Sequence, residues 1–340
     1  MSENASNPET PEESSDELRT AIADALNQPR PPAPPPRPRT LPTPNHHLVA
    51  FVDILGFSED IANATTPEAL TRVYEKLLFV QQEFEKPSAV EDTEDQAALN
   101  EDYGKRVIAL SDGVVIAVTD DCSGARHMGQ FDFFMQEIWR MMLVQARCAV
   151  KGIFLRGGIS RGTFFFEDDI LLSPPLVTAY RLESKLAVHP VILIDPATKD
   201  FLTTARGRGR YSAEDDTFAR YFRPFQSPNA PAQELFMLNY LPITRDEDHG
   251  WVYKEDREAY IKARDEDKSH LLYQRDVKNG AWFLGLHKSS VLAAYHAATE
   301  PQVKAKYLWL MQYHNDCVPD SEPIFADTRI DIEREVNPKT

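Results

Sequence analysis

The sequence predicts an α+β domain: a mixed, mainly antiparallel sheet with helices packed on it, followed by a more helical C-terminal part. Three observations predict it. The run HHLVAFVDILGF is apolar and β-branched and reads as a buried strand ending near Gly56. RVIALSDGVVIAV holds two short apolar runs around Ser111-Asp112-Gly113, the pattern of a tight β-hairpin. Segments with helical apolar spacing alternate with these strands, so helices must cover the sheet.

Order begins after residue 45. Residues 1–45 are polar and acidic and then proline-rich (PRPPAPPPRPRTLPTPN), so a disordered tether of polyproline II character is expected, with one short helical stretch around Glu17–Leu26. From Pro67 to Glu85, apolar residues at Leu70, Val73, Leu77 and Val80 predict an amphipathic helix, and an acidic loop (Ala89–Tyr103) leads from it to the hairpin. A long helix is expected from His127 to Val150, its methionines packing the core. GIFLRGGISRGTFFFEDD reads as strand, glycine-rich turn and strand, PPLVTAYRLESKLA as a helix opened by proline, HPVILID as a buried strand, and PATKDFLTTA as a helix. The expected organisation is one domain over residues 46–204 and a C-terminal extension over 205–340, packed on it. In the extension, ELFMLNYL reads as a strand and Glu255–Lys268 and Lys288–Tyr313 as helices.

Composition narrows the function. The chain has 340 residues and a hydrophobic fraction of 42%, enough for a core without disulfide staples. Three scattered cysteines fit a reducing cytoplasm rather than a disulfide framework or a CxxC zinc site. A membrane span is not expected, since no run approaches about 18–20 apolar residues. With 37 basic against 53 acidic residues the net charge is −16, which repels duplex nucleic acid. A nucleotide remains an acceptable ligand, because bound divalent cations invert the local field.

The carboxylates are therefore the place to look. In FVDILGFS, Asp53 closes an apolar strand. Buried and unpaired it would cost several kcal/mol, so it is hydrogen-bonded, surface-facing or metal-bound. Taken singly, Asp53 reads as a turn or cap residue and Asp112 as ordinary hairpin-turn chemistry. Together they mean more, because a βαββ order sets the hairpin tip beside the end of the first strand. Two close carboxylates repel unless protonated or bridged by cations. Two divalent ions about 3.5–4 Å apart would satisfy them and serve phosphoryl transfer. Gly56, Phe57 and Ser58 would then offer N–H groups to phosphates. Arg156 and Arg161 either touch phosphate or face solvent, and Arg206, Arg208 and Arg210 either fold over a triphosphate or form a solvated loop. Walker A and GxGxxG loops are absent from the sequence.

These motifs, in this order, resemble those of the class III nucleotidyl cyclases over about residues 47–200. FVDILGFS resembles their first metal-binding strand, IALSDGVVIAV the hairpin with the second metal-binding Asp, FLRGGISRG the next central strand, and VTAYRLES the helix carrying the transition-state arginine. The resemblance implies a palm-like catalytic fold. Asp53, Asp112 and the carbonyl of Ile54 would be metal ligands, and Arg181 would stabilise the pentavalent phosphate. It also implies two manganese ions per site, with magnesium as a substitute, and a homodimer with shared active sites.

The departures from the family pattern carry information. Val177 stands where the family usually has Asn, four residues before the arginine. Purine cyclases read their base with a polar residue four positions before the second Asp, where this chain has Ile108, and the partner position falls near Ile170. Apolar groups at those places do not pair with a purine edge. Phe51, two residues before Asp53 and on the same strand face, either packs the core or narrows the base pocket towards a pyrimidine. With the late motif KYLWLMQYHN, the pattern is most similar to the bacterial Pycsar pyrimidine cyclases, anti-phage enzymes that make cyclic UMP or cyclic CMP. That similarity implies a cytoplasmic uridylate cyclase whose product, cUMP, acts on a separate effector protein in antiviral defence. A cytidylate cyclase, a purine cyclase and an inactive nucleotide-binding module stay open as alternatives.

Overall fold

The computed structural model describes residues 46–86, 104–110, 113–167, 170–204, 217–245, 247 and 249–337. The N-terminal segment, the acidic loop Ala89–Tyr103, the turn residues Ser111 and Asp112, and Arg206, Arg208 and Arg210 lie outside the described residues.

The first strand, β1 (His46–Ile54), lies inside a seven-stranded sheet, third from one edge. After it come two helices, α1 (Phe57–Asn63) and α2 (Pro67–Glu85). Thr66 caps α2 by accepting the Ala69 N–H at 3.2 Å, and Pro67 fits the first turn, where no N–H is needed. The hairpin strands are β2 (Lys105–Ala109) and β3 (Gly113–Thr119). Then follow α3 (Ser123–Met128), α4 (Gln130–Ala149), β4 (Leu155–Thr163) and a small separate hairpin, β5 (Phe165–Glu167) with β6 (Ile170–Leu172). Next are α5 (Pro174–Arg181), running into a wider turn at Leu182–Leu186, then β7 (Ile192–Ile194) and α6 (Pro196–Thr204).

The sheet order is β2-β3-β1-β4-β7 and then, beyond residue 204, β9 (Leu235–Leu238) and β8 (Phe222–Phe225), the latter preceded by α7 (Thr217–Tyr221). Only β4 and β7 run parallel; the other pairs are antiparallel. The domain is therefore α+β with a mainly antiparallel sheet. The strands after residue 204 continue this sheet rather than starting a new one.

Both faces of β1 are covered, which is why its apolar run is continuous rather than alternating. Leu48, Ala50, Val52 and Ile54 face the main core with Val114, Ile116 and Val118 and the apolar stripe of α4. Val49 and Phe51 face a smaller core with Val115, Ala117, Phe164 and Ala179, covered by α5.

Two sequence expectations are corrected. The long helix does not start at His127: Gly129 has φ 89°, a left-handed-side value, and divides α3 from α4. The glycine-rich segment is not a turn, because Gly157 and Gly158 lie inside the unbroken strand β4. They are glycines because neighbours approach too closely for a side chain. A Cβ at 157 would come within 2.4 Å of the Phe51 carbonyl oxygen, and one at 158 within 2.3 Å of the Ala179 carbonyl oxygen. The bare backbone at Gly158 lets α5 settle onto β4, and that at Gly157 lets β1 lie close alongside.

The C-terminal part adds α8 (Tyr240–Arg245), α9 (Lys254–Lys262), the long α10 (Asp265–Ala297), α11 (Pro301–Cys317), a 3₁₀ turn (Pro323–Thr328) and α12 (Ile332–Val336), so the helix expected over Glu255–Lys268 is broken at the extended residues Ala263 and Arg264, and the one expected from Lys288 begins instead at Asp265. A buried polar chain ties it together. His314 Nε2 lies 2.9 Å from the Thr328 carbonyl oxygen, which only accepts, so that nitrogen carries the proton. His314 Nδ1 must then accept from His287 Nδ1 at 3.0 Å, and His287 Nε2 accepts from the Tyr240 hydroxyl at 2.7 Å.

Both rings are fully buried and neutral. Burial, aided by His314, holds His287 well below the ordinary 6.5, and burial with Lys288 and Arg329 nearby brings His314 down to about 4. Unfolded histidines take up protons near 6.5, so the folded state loses ground as pH drops from there towards 4. The slope is up to about 1.4 kcal/mol per pH unit for each ring. Urea midpoints measured between about pH 7 and about pH 5 should fall on acidification, and the fall should shrink in His314→Gln. A flat profile across that range would contradict this reading.

Candidate active site

Asp53 is the next-to-last residue of β1, on the face shared by Val49 and Phe51. Its cross-strand partners are Gly113 of β3 and Arg156 of β4. The residue following Asp112 is thus paired directly with Asp53, although Asp112 itself lies outside the described residues. Ile54, the proposed carbonyl ligand, ends β1 with its side chain in the main core.

One partner of Asp53 is Arg156. Its Nε donates to Asp53 Oδ2 at 2.8 Å and lies 2.8 Å from Glu183 Oε1. Asp53 and Glu183 are only 7% and 4% exposed, so two nearly buried carboxylates share one guanidinium. Glu183 reaches this point because the helix widens after Arg181 into the turn Leu182–Leu186, which packs against β4 and β1. Arg156 therefore does not simply face solvent. Arg161 takes a different place: it pairs with Asp120 at 3.3 Å and lies over the Phe201 ring at 4.2 Å, on the main-core side of the sheet.

Gly56 has φ 82° and turns the chain from β1 into α1, a conformation that favours glycine. The first N–H groups of that helix, at Phe57 and Ser58, have no intrahelical acceptor. Phe57 buries its ring while Gly56 and Ser58 are exposed. Glu59 and Asp60 follow in the same turn, and Asp60 is neutralised by Lys76 at 2.7 Å.

Phe51 and Ile108 are brought together. Both are cross-strand partners of Val115, and Ile108 packs on the small core that holds Phe51. Of the two roles open to Phe51, the described structure displays packing: the ring is 5% exposed and meets Tyr180 edge-on at 5.4 Å. Tyr180 is the exposed ring of that pair. Arg181, at the end of α5, is exposed and makes no ion pair or side-chain hydrogen bond among the described residues. Val177 is exposed on the same helix, and Ile170 is exposed on β6.

Two residues near the site were not singled out from the sequence. Glu183 sits in a charged helix end, where an acidic residue ordinarily means solvent exposure. Lys306 lies inside KYLWLMQYHN and reaches the surroundings of Asp53 only through the packing of α11.

The donors at this point are carboxylate oxygens, the chemistry of magnesium and manganese rather than zinc. Two buried carboxylates drawn onto one cationic group fit a place that takes positive charge. Among the described residues, which do not include Asp112, no three His, Cys, Asp or Glu side chains converge on a metal-sized point. Among the same residues no helix is long and apolar enough to cross a membrane. No protein-family model and no curated protein sequence matches the chain.

Proposed function

We propose that the chain is a nucleotidyl cyclase of the class III kind that converts a pyrimidine nucleoside triphosphate, UTP in the first place, to its 3′,5′-cyclic monophosphate and pyrophosphate. The observation that carries the reading is Asp53: a nearly buried carboxylate at the end of an interior strand, paired across the sheet with the residue that follows Asp112. Asp53, Asp112 and the Ile54 carbonyl would hold manganese or magnesium. Bound ions of that kind supply Lewis acidity, favouring the alkoxide of the ribose 3′-hydroxyl and balancing charge on the leaving phosphates.

The chain's own groups do the rest. The turn at Gly56, Phe57 and Ser58 seats phosphate oxygens, and Arg181 neutralises charge that develops around the α-phosphorus. In the reaction the bond from the 3′-oxygen to the α-phosphorus forms while the bond from that phosphorus to the bridging oxygen of pyrophosphate breaks. The hydroxyl proton leaves to solvent. Phe51 and Ile108 give the base pocket an apolar wall with no partner for a purine edge. Exposed apolar residues on α5 and β6, Val177, Tyr180, Ile170 and Leu172, support a homodimer that covers them. By its resemblance to the Pycsar cyclases, the product is a messenger for a separate effector in anti-phage defence.

The Asp53–Arg156 ion pair favours a second reading, a nucleotide-binding regulatory module in which Asp53 is structural. Incubating the purified chain with manganese and each of the four ribonucleoside triphosphates, with products read by mass spectrometry, separates the readings. Cyclic UMP as main product is expected. Cyclic CMP would shift the assignment to the other pyrimidine, a cyclic purine would overturn the base argument, and no turnover with retained nucleotide binding would favour the module.

A further inference from the structure

The C-terminal helix α11 has no assigned part in the reaction, yet it brings a cation, Lys306, within electrostatic reach of Asp53. Its register is fixed by aromatic packing. The Tyr307 ring meets Phe154 edge-on at 5.3 Å, and Trp309 stacks on His189 at 4.8 Å with 9° between planes, while Leu310 and Met311 are fully buried. Phe154 is in turn tied to the end of β1, because its carbonyl accepts the Leu55 N–H at 2.9 Å. The helix is therefore clamped to the segment that carries Asp53 and the Gly56 turn.

Lys306, immediately before Tyr307, is half-buried and lies in the field of Arg156, Glu59 and Asp53. Tyr307 similarly feels Asp60 on α1. The Lys306 ammonium makes no ion pair or hydrogen bond among the described residues. That is an unusual state for a partly desolvated cation. A lysine serving only to balance Asp53 or Glu59 would close to within about 3 Å of a carboxylate. Lys306 stands off from both, with Arg156 adding repulsion. An anion entering between α1, β1 and α11 would relieve the arrangement, and three donors on a flexible stem suit the several oxygens of a polyphosphate.

We infer that Lys306 binds the β- and γ-phosphates of the triphosphate held at Asp53, so that the C-terminal extension contributes to substrate binding and to release of pyrophosphate. The inference rests on the cyclase reading above. Lys306 is on this account a substrate-binding residue, and its loss should act on phosphate affinity more than on the chemical step.

The test uses the full chain with manganese and compares wild type, Lys306→Ala and Lys306→Arg, each checked by thermal melting for an unchanged fold. In Lys306→Ala the KM for UTP should rise about 10-fold or more, and pyrophosphate should weaken as an inhibitor by a similar factor. Inhibition by UMP, which lacks the outer phosphates, should stay the same, and Lys306→Arg should recover most of the loss. Unchanged KM and pyrophosphate inhibition in Lys306→Ala would overturn the inference, and so would equal weakening of UMP and UTP. If wild type cyclises no nucleotide, the cyclase reading fails separately, and calorimetry with pyrophosphate and manganese decides about Lys306. Binding to wild type but not to Lys306→Ala supports a polyphosphate site there, and no binding to wild type overturns it.

Discussion

Replacing Asp53 by Ala should abolish cyclisation while leaving the fold intact. Arg156 keeps Glu183 after the substitution, at the 2.8 Å separation it already has, so no guanidinium is stranded in the protein. Removing one partner of a buried ion pair ordinarily costs about 3–5 kcal/mol because the other charge is left uncompensated. Here that penalty is averted, and the melting temperature should move little. The chemistry has no such substitute. A metal-centred contribution of several kcal/mol to the transition state corresponds to a loss of about 10²-fold to 10⁴-fold or more, at 1.4 kcal/mol per factor of ten. Asp112→Ala should behave alike. Product counted by mass spectrometry under saturating manganese, beside a melting curve for each variant, checks both halves. An active Asp53→Ala protein would remove this residue from the mechanism, and an unfolded one would make it structural.

Arg181→Ala should lower kcat by about 10²–10³-fold with a smaller change in KM, the pattern for a group that meets charge only as it develops. Because Arg181 is exposed and forms no ion pair among the described residues, truncation removes no structural contact that the fold relies on. If the homodimer takes Asp53 from one subunit and Arg181 from the other, two inactive variants should rescue each other. A mixed dimer of Asp53→Ala and Arg181→Ala chains has one site with both groups and one with neither. With equal amounts and free exchange, half the dimers are mixed and half their sites are intact, giving about a quarter of wild-type activity. Mixing rates titrated against subunit ratio would show it. Failure to recover any activity after verified exchange would place both groups in one subunit and remove the shared-site arrangement.

The strands around the site were legible because their signal is local. HHLVAFVDI is apolar at every position that two covered faces require, and the hairpin announces itself by two apolar runs around a turn triplet. The helix Pro67–Glu85 was readable to its ends, since Thr66 and Pro67 are start signals with a mechanism. The glycine segment misled for a physical reason: consecutive glycines read as a turn, whereas Gly157 and Gly158 answer to backbone approaching from Phe51 and Ala179, far away in sequence. Placement on a strand face was equally readable for Phe51 and Asp53, because alternation is fixed by strand geometry. Nothing local marks the partners of Arg156, since pairing with Asp53 and Glu183 depends on the register of β4 and on a widened turn after Arg181. Lys306 and the His287–His314 chain depend on helix docking, which leaves no periodic trace.

The most direct measurement is a crystal structure of the full chain grown with manganese and 3′-deoxy-UTP, a substrate analogue that lacks the attacking hydroxyl. Two ions about 3.5–4 Å apart should appear, ligated by both Asp53 and Asp112, with Arg156 turned off Asp53 and kept by Glu183. If Asp53 instead stays on Arg156, with no ion on its carboxylate and the nucleotide bound elsewhere, two-metal cyclisation at this strand end is ruled out.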